Sequence, residues 1–191
     1  MRVHHQYDGH VSRDVLIEHL KTHALRTDGP FTLRSGETSS WYLDGRQVTF
    51  DGDGAWQVGR AFAEALDPVV EAVGGMTMGA DPIAMATAMV STANGRPMRA
   101  FSIRKETKDH GTGGRVVGPV DTGTRVALVE DATTTGSATR EAALAAVEAG
   151  LQIVQIVVMV DRSYGEAAEN LAFLGVPFVA LVTPSDLGVE M

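Results

Sequence analysis

The stretch Arg125–Gly150, RVALVEDATTTGSATREAALAAVEAG, decides the fold. It opens on a short apolar run, Arg125–Val129, and ends that run on two adjacent acids, Glu130 and Asp131. A turn of small residues follows, Thr133-Thr134-Thr135-Gly136-Ser137. Ser137–Ala149 is then rich in Ala, Leu and Glu, which favour helix, and Gly150 supplies a helix stop. Strand, turn and helix in that order form the first half of a βαβ unit. Free backbone N–H groups at the helix start, with hydroxyls beside them, suit a phosphate. Gly136 lets the backbone approach it closely. The two acids repel a phosphate, and suit ribose hydroxyls or a magnesium ion held through water. Cradle and acid pair together point to a phosphorylated sugar.

Working outward, four further apolar runs read as strands: Val69–Val73, Met98–Ile103, Ile153–Val160 and Pro177–Val182. Helical segments separate several of them. Val11–Leu25 carries Val15, Leu16, Leu20 and Leu25 near helical spacing, with Ser12 as a cap, and Asp81-Pro82 reads as N-cap and first helical residue. Short buried strands alternating with helices predict an α/β fold around a mostly parallel sheet. Four strands run into chemical residues: Gly74-Gly75-Met76, Arg104-Lys105, Glu130-Asp131 and Asp161-Arg162. Parallel strands would gather all four at one sheet edge, where open α/β sheets bind ligands.

The chain has 191 residues, enough for one domain with its own core, here 1–191 with 1–10 as a loose tail. With 24 acids against 16 Lys and Arg, the net charge of −8 disfavours nonspecific binding to nucleic acid or an anionic membrane. No cysteine is present, which excludes disulfides, thiolate nucleophiles and Cys-ligated metals. No targeting or membrane-spanning pattern is legible, so the expected location is cytoplasmic.

The charge is uneven. Residues 96–115 hold Arg96, Arg99, Arg104, Lys105, Lys108 and Arg115 against Glu106 and Asp109, a local balance of +4. Glycines at 111, 113 and 114 and the lack of apolar pattern over Glu106–Gly114 predict a mobile basic loop, able to close over a polyanion. Phe31–Val48, FTLRSGETSSWYLDGRQV, reads as a hairpin or strand carrying Arg34. Arg162 offers a fork for a carboxylate. His19 and His23 stand four apart without a third ligand and read as a helix face, while Met76 and Met78 read as packing beside a glycine turn.

Four blocks in order, FTLRSGETSSWYLD, VGGMTMGADPIA, RKETKDHG and LVEDATTTGSA, followed by VDR, resemble the orotate phosphoribosyltransferase family of type I phosphoribosyltransferases. The resemblance implies a mostly parallel sheet flanked by helices, a small N-terminal hood and a flexible basic loop. It also implies transfer of 5-phosphoribosyl from 5-phosphoribosyl 1-diphosphate (PRPP) to orotate, with magnesium held mainly through PRPP and water. Glu130 and Asp131 would hold the ribose hydroxyls, with Ala132 in the same motif, and Thr133, Thr134, Thr135, Gly136, Ser137 and Ala138 would hold the 5′-phosphate. Arg104, Lys105, Lys108 and His110 would bind the diphosphate, with Lys105, Lys108 and Asp131 as the catalytic set. Orotate would meet Thr134, Arg162 and Arg34. The family implies a homodimer whose loop reaches the neighbouring site. Two other readings stay open: a phosphoribosyltransferase for another base, and a non-catalytic PRPP-binding regulator.

Overall fold

The computed structural model describes residues 11–32, 36, 38–106 and 114–189. The expected tail at 1–10, Arg34, and Lys108 and His110 of the basic loop lie outside the described residues. In chain order the elements are α1 (Val11–His23), β1 (Leu25–Arg26), β2 (Phe31–Thr32), β3 (Thr38–Ser39), β4 (Tyr42–Leu43), α2 (Arg46–Thr49), α3 (Gly52–Ala65), β5 (Ala72–Met76), α4 (Ala80–Ala93), β6 (Arg99–Ile103), β7 (Val116–Val117), β8 (Arg125–Thr133), α5 (Ser137–Glu148), β9 (Gln152–Asp161), α6 (Glu166–Leu171), β10 (Phe178–Val182) and α7 (Pro184–Leu187). Six strands form one sheet in the order β10-β9-β8-β5-β6-β7. Every pairing is parallel except that of β7, which runs antiparallel on the edge. The expected mostly parallel α/β sheet is therefore the observed one. Two small antiparallel pairs, β1 with β4 and β2 with β3, precede it in the chain.

Alternation along β8 and β9 sets the layers, because successive side chains of a strand leave opposite faces. Ala127, Val129, Val157 and Met159 pack with Leu16, Leu20, Phe62 and Ile83 from α1, α3 and α4. Val126, Leu128, Ile156 and Val158 pack on the other face with Ala142, Ala143 and Ala146 of α5. The alanines of α5 let that helix lie close to the sheet.

Several boundaries differ from expectation for local reasons. The strand expected over Val69–Val73 is displaced to Ala72–Met76. Asp67 and Pro68 make a turn instead, in which the Val70 amide donates to the Asp67 carbonyl at 3.1 Å. Gly74 and Gly75, expected just beyond the strand's end, lie inside it, where its neighbours press near. A Cβ on Gly74 would stand 2.3 Å from the Phe101 carbonyl oxygen, and one on Gly75 2.2 Å from that of Val129. Likewise β8 runs on to Thr133 and β9 to Asp161, so Glu130, Asp131 and Asp161 are strand residues. Helix α1 ends at His23, and Leu25 pairs with Leu43. Ser12 is not its cap: it sits inside the helix and donates its hydroxyl to the Glu64 carboxylate. Helix α4 begins at Ala80 with Gly79 as N-cap, which moves Asp81 into the first turn. There its carboxylate accepts from the Thr77 hydroxyl at 2.6 Å. Among the described residues no helix is long and apolar enough to cross a membrane.

The glycine contacts make a direct prediction. Gly75→Ala overpacks β5 against β8, and overpacking costs about 1–3 kcal/mol. Thermal unfolding should fall by several degrees. Gly52→Ala, where a Cβ meets nothing within 4 Å, is the matched control and should leave Tm unchanged or slightly higher.

Candidate active site

The parallel strands deliver their C-terminal ends to a single edge, and an open cavity of about 410 Å³ lies there. Its walls come from four places in the chain: Tyr42–Arg46, Met76–Gly79, Lys105, and Glu130–Ala132 with Ala138. The structure thus brings together five residues expected from sequence, namely Lys105, Glu130, Asp131, Ala132 and Ala138. Thr133, Thr134, Thr135, Gly136 and Ser137 connect the end of β8 to α5 between them. Gly136 is the N-cap of α5 at φ 75°, a left-handed conformation that favours glycine. The Thr135 hydroxyl donates to that of Ser137 at 3.2 Å, and the Thr135 carbonyl accepts from the Asn170 side chain at 3.0 Å. The turn is thereby braced against α6 while the first amides of a twelve-residue helix open beside the acid pair.

The pleat separates the two acids. Glu130 follows Leu128 on the α5 face, where it is 7% exposed and its carboxylate accepts from Thr139 at a long 3.5 Å. Asp131 follows Val129 on the α4 face. Its Oδ1 accepts from the Ala132 amide at 2.9 Å, and a Cβ on Gly79 would stand 2.7 Å from that same oxygen. Gly79 is therefore the residue that admits the Asp131 carboxylate to the cavity wall. Burial, with Asp131 alongside, pushes the Glu130 carboxyl from its usual 4.5 up to about 8.

The cations are divided between structure and site. Arg115 hydrogen-bonds the Arg104 carbonyl at 2.7 Å and pairs with Glu141 of α5. The Arg104 amide donates back to the Arg115 carbonyl at 2.9 Å, so the two ends of the basic loop are tied together. Arg96 donates to the Asp67 and Val70 carbonyls and Arg99 to that of Pro119. Of the expected basic segment, Arg96, Arg99 and Arg115 are thus committed to the scaffold, and Lys105 alone among its described residues lines the cavity.

Arg162 directly follows β9, and its amide donates to the Thr133 carbonyl at 2.9 Å. Its guanidinium lies over the Trp41 ring, 4.4 Å from the centroid. Burial pulls its pKa below the usual arginine value, and its Nε is buried with no acceptor among the described residues. Sequence reasoning did not single out Tyr42, Asp44, Arg46 or Trp41 as site residues. Arg46 and Asp44 form a pair at 2.8 Å on the cavity wall, and the Arg46 hydrogen bond holds the Asp44 carboxyl below the usual range. The only sequence signal for them was the cluster of aromatics and charges in WYLDGR. Met78, expected to pack, is 57% exposed and sits on the cavity rim, whereas Met76 is buried as expected.

The raised Glu130 pKa has a signed consequence. Between pH 4.5 and 8 the folded state holds a proton that the unfolded state has lost, so this group's contribution to stability declines as pH rises through that window and levels off above it. Glu130→Gln lacks the decline. Its Tm should gain on the parent's as pH goes from 5 to 9, and parallel Tm curves would contradict the assignment.

Comparison with known proteins places this architecture. No family model matches the chain. The orotate phosphoribosyltransferase of Aquifex aeolicus is 39% identical over 180 residues, covering 93% of this chain and 98% of that one. The structure of Mycobacterium tuberculosis H37Rv orotate phosphoribosyltransferase in complex with Fe(III) dicitrate superposes with a TM-score of 0.82 at 34% identity, covering 93% and 99% of the two chains. The same M. tuberculosis enzyme in complex with PRPP gives 0.77 at 32% identity over the same shares. A likeness of this extent, spanning the sheet and the cavity at its edge, makes the chain a member of the orotate phosphoribosyltransferase family.

Proposed function

We propose that the protein transfers the 5-phosphoribosyl group of PRPP to orotate, giving orotidine 5′-monophosphate and pyrophosphate. The bond from the sugar's C1′ to the diphosphate oxygen breaks, and one from C1′ to a ring nitrogen of orotate forms. The observation that carries the reading is the cavity itself: an acid pair, a lysine and a glycine-opened helix start at one sheet edge. The M. tuberculosis relative with PRPP bound supports PRPP as the donor.

Each group has a physical task under this reading. Glu130 and Asp131 accept hydrogen bonds from the ribose 2′- and 3′-hydroxyls. The turn Thr133–Ala138 takes the 5′-phosphate on its amides and hydroxyls. Lys105, with Arg104, Lys108 and His110, meets the diphosphate, and Arg34 lies near it and the base. Thr134 and Arg162 face orotate, where an Arg162 Nε–H with no acceptor among the described residues favours a base bearing a carboxylate over a purine. Positioning and stabilisation of leaving-group charge then do most of the catalysis.

Magnesium fits this donor set. Three carboxylates border the cavity, Asp44 already paired with Arg46 and the adjacent Glu130 and Asp131, and no group of three or more His, Cys, Asp or Glu side chains forms a metal cage among the described residues. Mg²⁺ is commonly held by one or two carboxylates, water and substrate phosphates. Glu130 and Asp131 would hold it through water and the ribose hydroxyls, and it would supply neutralisation of diphosphate charge. The proposal includes a cytoplasmic homodimer with the basic loop reaching its neighbour's site. Exposed Met78 on the cavity rim, with Met85 and Met89 exposed along α4, supports a subunit contact on that side.

The test is to mix protein, magnesium and PRPP with orotate, uracil or adenine and follow base loss by absorbance. Orotate alone should be consumed, and no orotate loss by folded protein would defeat the reading. Lys108→Ala and Lys105→Ala should each lower kcat by about 100- to 1000-fold, the loss typical for one transition-state donor. KM for PRPP should change far less. Steady-state kinetics with kcat unchanged would remove these lysines from the catalytic set.

A further inference from the structure

We propose that Trp41 is a positioning residue for Arg162, a shelf that supports the guanidinium from one side and leaves its donors to the carboxylate of the base. The inference rests on the reading of Arg162 as the partner of orotate. It adds a residue to which neither the motifs nor the relatives' names give a role.

The geometry is specific. The Arg162 Cζ lies 4.4 Å from the Trp41 ring centroid, within range for a cation over an indole face. The ring is itself immobilised. Trp41 is 5% exposed and packs in the same core as Leu43 and Met159. Its backbone is bracketed by one side chain: the Ser39 hydroxyl donates to the Trp41 carbonyl at 2.7 Å and accepts from the Trp41 amide at 3.3 Å. Arg162 is anchored separately by its amide on Thr133. One end of the arginine is thus fixed to β8 and the other rests on a ring fixed to β4's approach.

What the contact leaves unsatisfied is as informative. Among the described residues Arg162 has no ion pair, and its Nε–H is buried without an acceptor. The nearby acid, Asp161, turns its Oδ1 to the Ser163 amide at 2.8 Å. The titratable groups that act on Arg162 are the phenols of Tyr42 and Tyr164. An indole face offers the guanidinium attraction but no acceptor for its N–H donors. They remain in the plane of the fork, where a planar carboxylate binds in two-point fashion. The indole supplies attraction without supplying an acceptor that would compete with the substrate. An acidic residue at position 41 would hold Arg162 as firmly and block it.

The experiment combines kinetics with a direct view of the guanidinium. Trp41→Leu should raise KM for orotate roughly tenfold, within the range of a desolvated cation–π contact. KM for PRPP and kcat should stay within about twofold, and Trp41→Phe should limit the rise in orotate KM to about threefold. In protein labelled with ¹⁵N-arginine, the Arg162 Nε–H signal, identified by its loss in Arg162→Lys, should be shifted upfield by the ring. It should move downfield on addition of orotate, and the upfield shift should vanish in Trp41→Leu. If Trp41→Leu does not fold, the Nε–H titration of the parent and the orotate KM of Trp41→Phe decide, the latter expected to rise about threefold. A parental orotate KM in the folded Trp41 variant, with Arg162→Ala inactive on orotate, overturns the shelf and leaves the role of Arg162 intact. An Arg162→Ala protein with parental orotate KM overturns the role of Arg162 and the shelf with it.

Discussion

Two consecutive carboxylates in a strand must leave opposite faces of the sheet, and the site is organised around that constraint. Glu130 goes to the alanine-lined α5 face and Asp131 to the α4 face, so each needs its own accommodation. On one side α5 supplies Thr139 and little else, and the carboxyl is forced towards its neutral form. On the other, Gly79 removes the Cβ that would collide with Asp131. Both acids end at one cavity only because β8 continues past Val129 to Thr133, beyond its pairing with β5. The strand's length, set by its parallel pairing with β9 out to Asp161, thus determines where the acids stand and where the turn into α5 begins.

Electrostatics then divides labour along the chain. An acidic floor attracts hydroxyl donors and repels phosphate, so cations must arrive from elsewhere. The net charge of −8 makes those cations scarce, and the structure commits several of them before any ligand is considered. Arg96 and Arg99 lie at the opposite end of β6 from the cavity, bonded to backbone carbonyls. Arg115 locks the Arg104 carbonyl and pairs with Glu141. The +4 of residues 96–115 overstates what the site receives. Lys105 at the end of β6 and Arg46 beside Asp44 are the described cations on the cavity wall. The remaining cations of the expected loop, Lys108 and His110, lie outside the described residues, between the tied Arg104 and Arg115.

This is why the sequence was legible in some places and not in others. Apolar runs ending in acids or glycines predicted a parallel sheet and its functional edge, because strand burial and side-chain chemistry are local properties. The Glu130-Asp131 pair and the glycine-opened turn into α5 were legible for the same reason. Boundaries failed where a distant residue decided them: Gly74 and Gly75 are strand residues because Phe101 and Val129 press upon them, contacts made across more than twenty residues of chain. Tyr42 of β4 and Arg46 of α2 join the cavity wall and Trp41 meets Arg162 from before the sheet, and no spacing in the sequence connects them to β8 or β9. Met78 has the composition of a core residue and the location of a rim residue, which only the turn before α4 reveals.

The same groups that define the site weaken the free protein. A carboxyl buried beside a second acid and an arginine Nε with no acceptor among the described residues are each unfavourable until a ligand binds. The surrounding core offsets them, with alanines close against β8 on one side and Phe62, Ile83 and Leu16 on the other. Under the proposed reaction both deficits are complementary to the substrates: ribose hydroxyls donate to Glu130, and a base carboxylate accepts from Arg162. Substrate binding would then relieve strain that folding alone leaves in place. An affinity assembled this way is selective, because a ligand lacking the hydroxyls or the carboxylate gains none of that relief.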